Sequence, residues 1–289
     1  MSNTIELAKS FVPKLDECYR LASLTSVLDG APELAKQGAN ANELIIPMMS
    51  MDGLADYSRN GGYVQGGVTM TNETVKCNFD RGRRFDVDVM DDLETAGLAF
   101  GRLSAQFIRD KVVPELDAFR FASYCGISGV TKKEETLADG AATVAALSAA
   151  VTAMDDEEVT ATGRYLFITP TLLQGINDMD TTKSKKVLEG FEQVIKVPQR
   201  RFYTAIKQLS GKTGEEAGGY TKAVGAANIN FAIVQKDALI QYTKHAAPKI
   251  IAPENNPDAD AYVFGYRMVG IAKAYKNMLS GMYFSHDKA

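Results

Sequence analysis

The chain has 289 residues, of which 45% are hydrophobic and 24% are charged. This composition is typical of a folded protein with one large core or two smaller domains. The formal net charge of −4 argues against a protein that binds nucleic acid through its overall charge. No apolar stretch approaches the ~18–20 residues of a membrane helix, and residues 1–20 lack a signal-peptide core, so the sequence predicts a protein made in the cytosol with no membrane partner.

The first 42 residues or so predict a helical arm. Leu7, Phe11 and Leu15 recur at helical spacing, and turn signals follow at Asp29-Gly30 and at Gly38. A single apolar stripe with no second layer must pack against something else. We therefore expect the arm to lie on the body of the subunit or on a neighbour.

Residues 43–79 predict a long two-stranded β-hairpin. ELIIPMMSM and VTMTNETVKCNF are strand-like, Pro47 favours an edge position, and the segment between them is polar and rich in glycine around Asn60–Gly62. An isolated two-stranded ribbon is marginally stable in water. We expect this one to become ordered by lying across another subunit; a hairpin folded back on its own domain is the alternative.

The stretch DRGRRFDVDVMDD predicts a strand with two different faces. Phe85, Val87 and Val89 alternate onto one face, which indicates a core. Charges of both signs, Arg84 and Asp86 among them, fall on the other face. Those charges are either a solvated face or partners for ion pairs between subunits.

A helical period begins at Asp92. Apolar residues recur from Leu93 to Phe107, and the acidic residues at the start suit a helix N-terminus. The helix is expected to run to Val113, about 33 Å at ~1.5 Å per residue. Pro114 is expected to end or kink it, with ELDAFRFASYC beginning a second helical piece.

The remaining elements mix helices and strands. An alanine-rich helix is predicted at 138–154, RYLFIT and INFAIV predict buried strands, and Pro170 lies in the first turn of a helix. The aromatic-rich C-terminus is strand-like. Because no βαβ repeat is present, the predicted fold class is α+β.

The sequence contains no recognisable catalytic, cofactor or metal site. His245 and His286 lack Cys or carboxylate partners at ligand spacing, and the G-x-S-x-G pattern of serine hydrolases is absent. Gly211-Lys212-Thr213 resembles the end of a phosphate-binding loop, but Ile206 stands where that loop needs glycine. We interpret it as a hairpin turn and expect a protein that is not an enzyme.

The cysteines Cys18, Cys77 and Cys125 are widely spaced and odd in number. They are interpreted as reduced thiols in a reducing compartment, with disulfides between subunits as the alternative.

The order of these segments resembles the tailed-phage major capsid proteins of the Hong Kong 97 type. The resemblance spans roughly residues 43–285 and is carried by DRGRRFDVDVMDDLET, VVPELDAFRFASYC, RYLFITPTLLQGI, VIKVPQRRFYTAI, INFAIVQKDALI and KIIAPENNPDADAYVFGYRMVGIAKAYKNMLSGMYF. Each segment alone is weak, and their joint order makes the resemblance specific.

The resemblance implies a Hong Kong 97-like capsid fold with four parts. Residues 1–42 would be the N-terminal arm and 43–79 the extended loop. Residues 80–135 and 250–289 would form a peripheral domain around the long spine helix. Residues 136–249 would form the axial domain, which meets its copies at the five-fold and six-fold axes.

The implied function is structural: self-assembly into pentamers and hexamers of an icosahedral phage head that encloses double-stranded DNA, in the virion after assembly in the host cytoplasm. Implied partners are further copies of the chain, a portal protein and packaged DNA held by non-specific contact. A mildly acidic container fits this role, since a strongly basic wall would trap the polyanion. The alternatives are an encapsulin-like bacterial shell and, from another class, a soluble cytosolic enzyme.

Two departures from the founding phage carry expectations. No lysine lies between Lys36 and Lys76, so the hairpin cannot supply the lysine of an isopeptide crosslink. About 42 residues precede the hairpin, too few for the built-in scaffolding segment, so we expect a separate scaffolding protein.

The candidate contact residues lie in the hairpin tip and the following strand. We hypothesise that the tip, 52–67, lies over a neighbouring subunit, where its apolar side chains pack and its charges, together with those of the strand, pair across the interface. The residues are Leu54, Asp56, Tyr57, Arg59, Tyr63, Arg81, Arg83, Arg84, Asp86 and Asp88.

Overall fold

A computed structural model describes residues 23–30, 36–37, 43–90 and 105–288. The strands are β1 (Lys36–Gln37), β2 (Glu43–Met51), β3 (Val68–Lys76), β4 (Phe79–Asp88), β5 (Thr131–Glu134), β6 (Arg164–Ile168), β7 (Gln193–Lys196), β8 (Ile206–Gln208), β9 (Tyr220–Lys222), β10 (Ile229–Gln235), β11 (Leu239–Ile251), β12 (Ala261–Ala274) and β13 (Met282–His286). The α-helices are α1 (Val113–Gly126), α2 (Gly140–Asp156), α3 (Pro170–Asp178) and α4 (Thr182–Glu189). The helical stripe predicted from Leu7 and the start of the helix predicted from Asp92 lie outside the described residues.

The predicted hairpin is present, and it carries a third strand that the sequence did not predict. β2 and β3 pair antiparallel in an unbroken register from Glu43–Lys76 to Met51–Val68. The two-residue strand β1 pairs with the other side of β2 near its base. A free strand edge leaves backbone groups without partners, so β1 satisfies part of the edge that a two-stranded ribbon would expose.

A three-stranded antiparallel sheet with the order β11-β12-β4 follows the hairpin. Its apolar face is covered by the helical segment that contains Ile108 and Val113, which packs with Phe79, Phe264 and Met268. The alternation predicted for β4 is confirmed: Phe85 and Val87 pack against this cluster, and the charged residues that alternate with them, Arg84, Asp86 and Asp88, are exposed.

A five-stranded sheet with the order β5-β13-β10-β6-β7 forms the largest core. Its central strands β6 and β10 are buried along their whole length, as their continuous apolar runs predicted. On one face, Phe121 of α1 packs against Phe167 with ring centroids 5.1 Å apart. On the other face, Leu147 of α2 and Ile176 of α3 cover the sheet.

The long helix packs against both the three-stranded and the five-stranded sheet. Residues 105–126 are helical, with a π-helical turn at Ile108–Val112 followed directly by α1. Pro114 does not end the helix, because the backbone stays helical at Val112 and Val113, and a kink at Pro114 stays a prediction. Since proline donates no backbone hydrogen bond, the wider π-turn just before it is the local adjustment that lets the helix continue.

The sheets divide the chain differently from the expected domain ranges at two places. β11 crosses the expected boundary at 249/250 and pairs with β12 over most of its length. β13 falls within the range 250–289 but pairs with β10 and β5 in the five-stranded sheet. Both differences come from long-range strand pairing, which local patterns do not encode.

A buried carboxylate anchors residues 23–30 to the body. Asp117 of α1 is fully buried and accepts hydrogen bonds from Ser23 Oγ at 3.0 Å, from Thr25 Oγ1 at 2.7 Å and from the backbone N–H groups of Leu24 and Thr25. Arg201 Nη1 also donates to Asp117 Oδ2, at 3.2 Å. A buried charge is tolerated only when paired and hydrogen-bonded, and this one is.

Candidate subunit interface

One face of the hairpin is apolar and exposed. Met49 lies opposite Met70, and Met51 lies opposite Val68. Directly opposed residues of antiparallel strands share a face, so these four side chains form one patch, and between 58% and 69% of each is exposed. Isolated apolar residues on a surface are ordinary, but a contiguous exposed patch marks an interaction site.

The tip of the hairpin, 52–67, extends this apolar surface. Leu54 is fully exposed and Tyr63 is 91% exposed, while Tyr57 and Tyr63 bring their ring centroids to 4.9 Å. Gly67 N–H donates to Asp52 Oδ2 at 2.7 Å, which closes the loop. Asp56 and Arg59, the other predicted tip residues, are also exposed. The structure therefore places the predicted tip residues together on one exposed element.

The base of the hairpin is attached to the body. Val75 is buried and packs with Ile240 and Ile271 of the three-stranded sheet, and Cys77 and Tyr242 pack around them. The contrast between the buried base and the exposed tip defines the hairpin as an arm fixed at one end.

The outward face of β4 carries charges that are exposed and paired within the chain. Arg84 Nε donates to Asp86 Oδ1 at 2.8 Å, and Met90 N–H donates to Asp88 Oδ1. Asp80 forms a two-pronged pair with Arg267 of β12, at 2.9 and 2.7 Å, and this hydrogen bonding lowers the pKa of the Asp80 carboxyl. These residues form a solvated face in the single chain, and contact between subunits stays a prediction for them.

Arg81 and Arg83 lie on the opposite face of β4 and bind groups of their own chain. Arg81 forms an ion pair with Glu115 at 2.8 Å and donates to the carbonyl oxygens of Leu209 and Gly219. Arg83 donates to the carbonyl oxygen of Glu216 at 2.8 Å. In the single chain these contacts connect β4 to the helix and to the loop between β8 and β9, and contact between subunits stays a prediction for both arginines.

These contacts border a groove of about 1280 Å³. Its walls come from parts of residues 79–85 of β4, 106–115 of the helix, 200–222, and 266–268 of β12. We name it the basic groove. Phe85 and Phe107, with ring centroids 4.8 Å apart, lie in it with Tyr266. Among the described residues that line it, seven are Arg or Lys and three are Asp or Glu, in a chain whose net charge is −4.

The loop between β8 and β9 forms one side of the groove and contains Gly211-Lys212-Thr213. The two strands pair antiparallel, so the interpretation as a hairpin turn is confirmed, and no helix follows the loop as phosphate binding would require. Lys207 Nζ at 2.6 Å and the Ser210 N–H at 2.7 Å bind Glu215. These contacts lower the pKa of Glu215 to about 2, so the carboxylate keeps the loop closed at neutral pH.

The groove also contains a half-buried phenol. Tyr220 OH donates to the carbonyl oxygen of Arg200 at 2.8 Å. Burial raises the pKa of Tyr220 to about 12, against the opposing effect of the nearby Arg201 guanidinium. Tyr220 is therefore a neutral donor that fixes the turn carrying Arg200 and Arg201.

The described cysteines are free thiols. Burial raises the pKa of Cys125 to about 11 and also raises that of Cys77. A thiol reacts as its thiolate, so both are weak nucleophiles at neutral pH. Cys18 lies outside the described residues.

Within the described ranges, no cluster of three or more His, Cys, Asp and Glu side chains could hold a metal ion. In the same part of the chain, no helix is both long enough and apolar enough to cross a membrane.

Sequence reasoning missed the apolar face of the hairpin stem and the basic groove. The apolar face of the stem could have been predicted, because Met49 and Met51, like Val68 and Met70, are spaced by two in strand-like runs. The groove had no such signal, since its walls come from four distant parts of the chain.

The sequence matches no protein-family model, and no significant match was found among curated proteins. Comparison with solved structures is more informative. The virus-like particle from Pyrococcus furiosus aligns with a TM-score of 0.61 at 10% identity, covering 97% of this chain and 99% of that chain. The capsid of cyanophage P-SCSP1u aligns with a TM-score of 0.54 at 12% identity, covering 88% and 86%.

The capsid of the myovirus XM1 aligns with a TM-score of 0.52 at 11% identity, covering 86% of each chain. At these identities the likeness is one of fold, and it extends over most of each chain. The resemblance seen in the sequence is thereby confirmed at the level of structure: the chain has the fold of tailed-phage capsid proteins.

Proposed function

We propose that this chain is the major capsid protein of a tailed phage, which assembles with its own copies into pentamers and hexamers of an icosahedral head around double-stranded DNA. The fold supports a shell subunit. The single observation that supports assembly is the exposure of the hairpin: its tip and apolar face are exposed while its base is buried.

The physical reason is the cost of leaving that hairpin in water. Removing one large apolar side chain from water contributes about 1.5–3 kcal/mol, and the stem patch and tip expose several. A hairpin on one copy and its receiving surface on the next are different surfaces, so the contact is heterologous. Heterologous contacts close into rings when the rotation permits, as pentamers and hexamers require.

The parts of the subunit take roles in this proposal. The hairpin is the extended loop, and residues before it are the N-terminal arm. The sheet of β4, β11 and β12, with the long helix, is the peripheral domain. The five-stranded sheet with α2, α3 and α4 is the axial domain. This assignment keeps the expected order but moves β11 to the peripheral domain and β13 to the axial domain, following the strand pairing.

The proposal includes partners and a location. A separate scaffolding protein guides assembly in the host cytoplasm, a portal protein admits the DNA, and the shell becomes part of the virion. DNA contact is non-specific. The chain has no catalytic role in this proposal.

Deleting residues 56–66 tests the function of the hairpin. The Asp52–Gly67 closure and the buried Val75 remain, so the subunit should fold with an unchanged circular dichroism spectrum. It should fail to form particles in negative-stain microscopy and elute as a small species in size-exclusion chromatography. Intact shells from this variant would refute the proposed function.

A matched pair of point variants sharpens the test. Leu54 in the tip and Val224 outside the hairpin are both fully exposed. Leu54→Ser should lower the yield of particles, because it removes apolar contact with the neighbour, whereas Val224→Ser should leave the yield near that of the wild type. Equal yields for both variants would contradict the assignment of the tip as the contact.

An encapsulin-like shell is the second candidate, favoured by the likeness to the virus-like particle from Pyrococcus furiosus over 97% of the chain. The two functions predict different contents. Particles purified from the native source should contain nuclease-protected double-stranded DNA if the chain is a phage capsid protein. Particles that contain a protein cargo and no DNA would favour the encapsulin-like shell.

A further inference from the structure

Methionine is concentrated in the stem of the hairpin. Four of the chain's 11 methionines lie in the two strands β2 and β3. Strands favour β-branched and aromatic residues, so strand propensity does not account for this concentration. What methionine adds to a strand surface is a flexible side chain with a polarizable thioether sulfur, which oxidants convert to a sulfoxide.

Three of these methionines share one exposed face of the ribbon. Met49 lies directly opposite Met70 in the antiparallel register, and Met51 lies two residues further along β2. Directly opposed side chains have Cβ atoms ~4.5–5.5 Å apart, so the thioethers form one group. Each of the three side chains is more than half exposed. We name Met49, Met51 and Met70 the methionine face.

The sulfur atoms of the body are protected from a dissolved oxidant. Met154, Met268 and Met282 are buried in the cores, where an oxidant does not reach the thioether. Burial also raises the pKa of the Cys77 and Cys125 thiols, and a thiol is oxidised through its thiolate. Among the described sulfur atoms, those of the methionine face are therefore far more accessible to a peroxide than these five.

The reaction with hydrogen peroxide is a two-electron oxidation of the sulfur. The thioether sulfur attacks one peroxide oxygen, the O–O bond breaks, and the products are one sulfoxide and one molecule of water. The sulfoxide is polar and chiral, and it disrupts contacts that methionine makes as an apolar residue. Covering a polar group without a hydrogen-bond partner is unfavourable, so an oxidised face favours contact with water over contact with another subunit.

The change is also reversible. Methionine sulfoxide reductases restore the thioether; two thiols are oxidised to a disulfide and the sulfoxide oxygen leaves as water. A modification that alters an exposed contact surface and can be undone has the properties of a switch.

We propose that the methionine face is an oxidation-sensitive site, at which peroxides convert Met49, Met51 and Met70 to sulfoxides and thereby prevent the subunit from assembling. The inference rests on the proposed function, in which the hairpin contacts another copy, and adds a chemical control of that contact.

Peptide mass spectrometry locates the modified residues. Full-length subunits are treated with dilute hydrogen peroxide before assembly, and the gain of one oxygen atom is assigned to individual peptides. Met49, Met51 and Met70 should be oxidised well before the buried Met154 and Met268. Oxidation of all these methionines at one rate would overturn the inference.

The triple variant Met49→Leu/Met51→Leu/Met70→Leu isolates the effect on assembly. Leucine conserves the apolar volume and contains no sulfur. After peroxide treatment the wild type should lose most of its particles in negative-stain microscopy, whereas the triple variant should keep its yield. Because the variant retains all three cysteines, equal losses in both proteins would assign the damage to other groups and refute the proposal.

The matched control removes exposed methionines outside the hairpin. Met90 and Met278 are both exposed, so Met90→Leu/Met278→Leu changes the same chemistry at other positions. This variant should lose its particles on peroxide treatment as the wild type does. Resistance of the control would contradict the assignment to the hairpin.

Enzymatic reversal needs no substitution and is independent of how well the triple variant assembles. Oxidised wild-type subunits are incubated with methionine sulfoxide reductases and a thiol reductant until the added oxygen disappears from the peptides. The yield of particles should then return to a large part of its original value. Restored thioethers without restored assembly would overturn the inference.

Failure of this inference is distinguishable from failure of the proposed function. If the 56–66 deletion blocks assembly while oxidised wild-type subunits assemble normally, the hairpin makes its contact without the methionine face, and only the inference fails. If the deletion itself forms shells, the proposed function fails whatever the oxidised subunits do.

Discussion

The five-stranded sheet and the hairpin are built from similar apolar residues but differ in what covers them. In the sheet, β6 and β10 are buried along their whole length between helices. In the hairpin, Met49, Met51, Val68 and Met70 form an equally continuous apolar patch that is exposed. The first region is complete within one chain, whereas under the proposed function the second is completed by contact with another molecule. Stability and assembly should therefore respond to different sets of substitutions.

The largest expected effect on stability lies at Asp117. Asp117→Ala leaves Arg201 and the donors of residues 23–25 without their acceptor, and breaking a buried pair in this way costs about 3–5 kcal/mol. Asp86→Ala, at an exposed pair with Arg84, should change the free energy of unfolding by less than about 1 kcal/mol. Urea unfolding in the 56–66 deletion background measures both on unassembled subunits. Equal losses would contradict the burial of Asp117.

A glycine pair gives an intermediate effect on stability and compares the body of the subunit, here β4 of the three-stranded sheet, with the hairpin. A Cβ at Gly82 in β4 would lie 2.8 Å from the carbonyl oxygen of Tyr266, whereas one at Gly53 in the hairpin would meet nothing within 4 Å. Gly82→Ala should lower the free energy of unfolding by about 1–3 kcal/mol because the backbone must shift. Gly53→Ala should leave it unchanged or slightly raised. A destabilising Gly53→Ala would show that the hairpin packs on its own body.

The smallest effect is expected in the β8–β9 loop, where charge holds an exposed segment. Lys207 and the Ser210 N–H lower the pKa of Glu215 to about 2. A depressed carboxyl pKa contributes stability that is complete above the ordinary value, about 4.5, and is lost as the pH falls through 2. The difference in melting temperature between wild type and Glu215→Gln should therefore shrink between pH 5 and pH 2. A difference that does not change with pH would contradict the ion pair.

The sequence predicted those features that depend on local periodicity. Alternation at Phe85 and Val87 located the core face of β4, and the spacing of Val144 and Leu147 located the buried side of α2. Positions that depend on distant pairing could not be predicted in this way. Arg81 and Arg83 share the parity of Phe85 and bind groups of their own chain, and their contact with another subunit stays a prediction. Nothing in the local pattern of β13 could have shown that it pairs with β10.

The long helix has a consequence for how the body melts. Its Ile108 and Leu116 belong to the core of the three-stranded sheet, and its Phe121 and Tyr124 belong to the core of the five-stranded sheet. Neither sheet can release this helix without uncovering the other. An element that belongs to two cores couples their unfolding, as in the all-or-none transitions of cooperative domains. We therefore expect the two sheets to unfold together in a single transition on heating.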